Sequence, residues 1–116
     1  MVTVFANNQL IVTDGTVNGV IDTDPMPMGG NDRVASVLNM HYIYGSGATL
    51  SVQFMGSNDG QNWVNIGSPE TKTTPPTKSQ LPEQTAVFAF VKYEFTLTAA
   101  GAAAVCFDLH SVIDHS

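Results

Sequence analysis

Charge is scarce in this chain. Of its 116 residues only 12% are charged, and four Lys plus Arg face ten Asp plus Glu, for a formal charge of −6. A nucleic-acid module carries a basic stripe that neutralises phosphates; four scattered cations make no such stripe, so no direct nucleic-acid partner is expected. So little charge also excludes a charge-rich disordered chain. Cysteine is scarcer still. Cys106 stands alone, which forbids an intramolecular disulfide and any multi-cysteine metal site. Its setting, Ala104-Val105-Cys106-Phe107, predicts a small buried hydrophobe. No apolar run approaches the ~18–20 residues that cross a bilayer, so no membrane partner is expected. The start, Met1-Val2-Thr3-Val4-Phe5, lacks the basic region and apolar core of a secretory signal. The expectation is a soluble chain made in a cytoplasm.

Uninterrupted helix-forming stretches are missing too, because Gly or Pro breaks nearly every window long enough to hold one. What is present is strand chemistry. Val, Ile, Thr and the aromatics number 40, and these types suit a pleated, half-buried surface. Thr, Ser, Asn and Gln number 33, so uncharged groups do the polar work.

Periodicity places the strands. A first strand over 3–13 is broken at Asn7-Asn8, and Asp14-Gly15 signals a turn before a short strand reaching Asp22. The stretch Asp24-Pro25-Met26-Pro27-Met28-Gly29-Gly30 reads as irregular, since prolines lack N–H donors. From Val34 the chain alternates through Leu38, Met40, Tyr42 and Tyr44 on one face. Leu50, Val52 and Phe54 share a face of the next strand. Asp59-Gly60 between two strand-like runs is the sharpest hairpin marker, because Gly60 accepts φ > 0. Pro69, Pro75, Pro76 and Pro82 lie among Thr, Ser and Lys and predict a long exposed loop. The run Val87, Ala89, Val91, Tyr93, Phe95, Leu97 points inward, as do Val105, Phe107 and Leu109 opposite Asp108 and His110. The prediction is one all-β domain over 1–116: an antiparallel β-sandwich or jelly roll of about seven to eight strands, with exposed loops near 22–33 and 68–85.

Reactive constellations are hard to find. His41, His110 and His115 show no zinc spacing, and no Gly-x-Ser-x-Gly elbow is present. Asp22-Thr23-Asp24 offers carboxylates for Ca²⁺ without an EF-hand register, and surface turns use Asp for other reasons. No catalytic residue, cofactor or metal is therefore expected, and the chain reads as a non-enzyme. Trp63 with Tyr42, Tyr44 and Tyr93 would make a sugar platform; the competing reading packs Trp63 across its hairpin against Phe54. Met26 and Met28 either cover their own core or dock on a partner. The candidate partner contacts are Pro25, Met26, Pro27, Met28, Phe88 and Phe90, with Ile43 read as sharing the outward face of the two phenylalanines.

The segment Leu50-Ser51-Val52-Gln53-Phe54-Met55-Gly56-Ser57-Asn58-Asp59-Gly60-Gln61-Asn62-Trp63 resembles a hairpin common in small β-sandwich structural proteins of tailed bacteriophages. The closing half, Phe90-Val91-Lys92-Tyr93-Glu94-Phe95-Thr96-Leu97-Thr98 with Gly101 and the strand after it, is similar to theirs as well. The Ser-x-Asp-Gly-x-x-Trp turn also resembles one in discoidin-like carbohydrate-binding modules, although this chain is shorter and lacks their disulfide. The phage resemblance implies a virion component made in the bacterial host: a head decoration (cement) protein or a minor head or tail protein. Its implied partners are the major capsid protein or other virion proteins and further copies of itself, a homo-oligomer on the capsid. The alternative is a carbohydrate-binding or adhesion module.

Overall fold

The structure, a computed structural model, describes residues 2–73, 77–85 and 87–115. It is all β. The strands are β1 (Val2–Thr13), β2 (Gly19–Asp22), β3 (Met26–Pro27), β4 (Arg33–Tyr44), β5 (Thr49–Ser57), β6 (Val64–Lys72), β7 (Thr77–Gln80), β8 (Gln84–Thr85), β9 (Phe90–Thr98) and β10 (Ala103–Asp114). One sheet runs β1-β10-β4-β7, with β8 also on β4; the other runs β2-β9-β5-β6, with β3 also on β9. All pairings are antiparallel.

The order has a simple origin. The pairs β5–β6, β4–β7, β2–β9 and β1–β10 nest inside one another along the chain. They form one long ribbon whose tip is the β5–β6 hairpin, and rolling that ribbon onto itself gives the double Greek key of a jelly roll. The tip is the Asp59-Gly60 turn, with Gly60 at φ 75°. Ser57 Oγ accepts from the N–H of Gly60 at 2.9 Å, and the Asp59 carboxylate accepts from the N–H groups of Gln61 and Asn62 at 2.9 and 2.8 Å. Asn62 and Gln61, and then Ser57, hold the Asp59 carboxyl far below the ordinary carboxylate range.

Inward residues of both sheets interleave as the core. Phe95 of β9 meets Phe107 of β10 with ring centroids 4.4 Å apart, and Leu38, Leu50, Leu97 and Leu109 close around them, fully buried. Each such side chain contributes about 1.5–3 kcal/mol by leaving water. One polar chain crosses this core. Tyr93 OH shares a 2.7 Å hydrogen bond with Ser36 Oγ, which shares one of 2.6 Å with Ser111 Oγ. Burial pushes the Tyr93 hydroxyl up to about 12.

The fold corrects several expectations. Strand β4 carries a bulge at His41, because Cys106 pairs with Tyr42 while the next residue, Phe107, pairs with Met40. One extra residue flips every later side chain. Ile43 therefore turns into the core at 7% exposed, and Tyr42 and Tyr44 turn out. The expected loop over 68–85 is built largely of strand: β6 runs on to Lys72, β7 and β8 pair with β4, and Leu81 is buried with its N–H on Ser36 O at 2.9 Å. Pro69 is tolerated because β6 is an edge strand. Pro75 and Pro76 lie outside the described residues. Strand β9 begins only at Phe90, so Val87 is not inward but 85% exposed. Among the described residues no helix is long and apolar enough to cross a membrane.

Candidate functional site

The 22–33 segment is more ordered than a free loop. Its Pro-Met-Pro-Met run behaves as a strand of period two. Met26 and Pro27 pair with Val91 and Phe90, and the N–H of Met28 donates to Ala89 O at 2.9 Å. Alternation then turns Pro25 and Pro27 outward and the methionines inward. Met28 is 1% exposed and belongs to the core; Met26 is half-buried against it. Neither methionine is the exposed docking group the sequence allowed, because each covers the chain's own interior. Phe88 is half-buried too, its ring lying over Gly56, where an added Cβ would come within 2.6 Å of it. Phe90 is half-buried at the start of β9.

The structure nevertheless brings the two candidate segments together. Pro25 to Met28 and Phe88 to Phe90 are neighbours at one end of the sandwich. Asn58 of the hairpin tip joins them, its Oδ1 accepting from Ala89 N–H at 3.1 Å. A shallow concavity there is lined by Asn31, Asp32, Asn58, Val87, Phe88 and His115, among others.

A second surface went unread in the sequence. In a two-sheet sandwich each outer face is normally polar. The outer face of β2-β9-β5-β6 is more polar: Lys92, Glu94 and Thr96 follow one another along β9, with Glu94 flanked by Asp22 and Gln53 of the neighbouring strands. Lys92 Nζ sits 2.9 Å from Asp22 Oδ2 and 4.5 Å above the Trp63 ring. Burial, with Asp22 adding to it and Lys92 opposing, raises the Glu94 carboxyl above its usual range.

The outer face of β1-β10-β4-β7 breaks the rule. Across its rungs Val12, Ala104 and Tyr44 align, then Leu10, Cys106 and Tyr42, then Val4, His110 and Val37. Among the described residues, seven of the eleven exposed large hydrophobics lie here, including Tyr44 and Val12, each at 62%. Tyr42 and Tyr44 stack on one another at 5.8 Å. Cys106, expected inside, is half-buried on this outer face. The signal was present in Leu10-Ile11-Val12, apolar on both faces of one strand.

One polar group anchors the face. Asp108 Oδ1 accepts from the Asn8 N–H at 2.5 Å, and Oδ2 lies 3.0 Å from His41 Nε2. Both neighbours of β10 are bulged at this level: β1 at Asn7-Asn8, with Asn8 at φ 49°, and β4 at His41. The Asn8 N–H, then His41, holds the Asp108 carboxyl below its ordinary value. Among the described residues no hydroxyl or thiol hydrogen-bonds to His41.

The four aromatics of the imagined sugar platform do not meet. Tyr42 and Tyr44 are on one outer face, Trp63 is on the opposite one beneath Lys92, and Tyr93 is in the core. Trp63 is half-buried and is not part of the core, so the packing against Phe54 expected of it is absent as well. Asp22 is engaged by Lys92, and among the described residues no group of three or more His, Cys, Asp or Glu is placed to hold a metal ion. No protein-family model matches the chain, and no curated protein matches it.

Proposed function

We propose that the chain is a non-enzymatic structural component of a tailed-bacteriophage particle, a head decoration protein that binds the assembled major capsid protein and stabilises the lattice. The observation that carries this reading is where the exposed apolar side chains sit. Among the described residues, most of them lie on one sheet face, with Val87 and the half-buried Phe88 beside a shallow concavity at one end of the sandwich. Surfaces of that kind bury against partners at little desolvation cost, because Val, Thr and Tyr leave water more cheaply than Lys or Glu. The capsid contact lies at the sandwich end, through Pro25, Pro27, Val87 and the exposed parts of Phe88 and Phe90. Prolines there lose little entropy on docking. Binding only the assembled lattice stabilises it by mass action. The likeness of the Leu50 to Trp63 hairpin to phage structural proteins supports the same reading, and jelly rolls serve viral capsids as well as lectins.

Mass spectrometry of density-banded particles tests it. The chain should be a stoichiometric component of the phage that encodes it. Its absence from banded particles, with the chain free in the lysate, would overturn the proposal.

A further inference from the structure

We infer that the outer face of β1-β10-β4-β7 is closed by the same face of a second copy of this chain, giving a two-fold dimer. The inference does not rest on the particle reading; it needs only this face.

Charge is the first argument. Each copy carries −6, which opposes association. Little of that charge lies on the face. Strands β1 and β4 hold no acid, and the two acids of β10 are both engaged, Asp108 by His41 and Asp114 by Arg33 at 2.7 Å. Two such faces meet with little direct repulsion, whereas the opposite face presents Asp22, Lys92 and Glu94.

Size is the second. Strands β1, β4 and β10 have 12 residues each. At ~3.4 Å per residue and ~4.8 Å between strands, the four-stranded face covers roughly 600–750 Å². A standard stable interface takes ~800 Å² from each partner.

Shape is the third. Sheets of one hand of twist pack face to face at about −30° with side chains interleaved. A second copy brings a sheet of identical twist and length, and a two-fold arrangement lets the face complement itself. Edge-to-edge pairing is poorly served. Strand β1 is bulged twice, and at the far edge β7 has four residues.

The test is sedimentation equilibrium of the purified chain from about 1 to about 200 μM, a range that captures micromolar affinities. The mass should rise from 12.3 kDa to twice that value. Leu10→Lys places a charge at a 49% exposed position on the face, and should weaken dimerisation at least ~tenfold while the monomer stays folded by circular dichroism. Tyr42→Ser serves as a milder variant should Leu10→Lys fail to fold. Val20→Lys, on the other sheet, should leave the dimer intact. Cys106 lies on the rung between Leu10 and Tyr42, so its alkylation by N-ethylmaleimide should slow as concentration rises, and not in the face variants. A chain monomeric throughout, an assembly of three or more copies, a dimer insensitive to Leu10→Lys and Tyr42→Ser, or Cys106 equally reactive in monomer and dimer would each overturn the inference.

Discussion

His41 meets Asp108 at 3.0 Å because each strand flanking β10 carries an extra residue at the level of that carboxylate. The bulge that presents His41 also turns Tyr42 and Tyr44 outward, so one local irregularity both binds the face's central charge and builds its aromatic patch. Asp108→Ala removes the acceptor of the Asn8 N–H and of His41. It should cost about 1–3 kcal/mol in urea unfolding, in the range for hydrogen bonds to a charged group. A variant as stable as the parent would show that the bulges hold themselves.

Trp63 lies under Lys92 and outside the core, so its truncation should be mild. Trp63→Ala is expected to cost about 1–2 kcal/mol, well short of the ~3–5 kcal/mol typical of buried aromatics. Phe95→Ala, at a position fully buried against Phe107, should show that full cost. Equal losses measured by urea unfolding would place Trp63 back in the core.

Met28 and Pro27 should respond in opposite ways. Met28→Ser empties a fully buried site and should destabilise by about 3–5 kcal/mol, a cavity cost plus an unsatisfied hydroxyl. Pro27→Ser changes an exposed position and should leave the melting temperature nearly unchanged while lowering occupancy on capsids. A melting temperature unaffected by Met28→Ser would return the methionines to the surface.

Acid should weaken the fold through particular groups. Asp59 and Asp108 both have lowered pKa values in the folded chain. Their contribution is complete above the ordinary carboxylate value and is lost as pH falls from there toward the lowered folded values. Urea midpoints should therefore drop below about pH 4, and Asp59→Asn should flatten that drop. Carboxyl titration by NMR gives the direct check: an Asp59 midpoint at the ordinary value would remove the turn from this explanation.

Much of the fold was legible because it was written locally. Asp59-Gly60 needs only its own turn chemistry, and the alternation from Val91 to Leu97 and from Val105 to Leu109 reads directly as inward faces. The break at Asn7-Asn8 was legible for the same reason, as two turn-prone residues inside a strand. What escaped depended on pairing. The orientation of Ile43, Tyr42 and Tyr44 is set by the partner strand β10, and the strands within 68–85 exist because β4 offers them an edge. The Pro-Met-Pro-Met run does alternate, yet its prolines read as loop, because the strand exists only through its pairing with β9. The apolar outer face emerged only when β1, β4 and β10 lay side by side, since each strand alone shows no more than two or three exposed hydrophobics.

The function we propose, stabilisation of a phage head by binding its assembled lattice, has a direct test. Heads prepared without the chain should release DNA at a lower temperature than complete heads. Adding the purified protein should restore the difference, with a Pro27→Ser chain restoring less. Heads that release DNA at the same temperature with and without the chain would contradict the account.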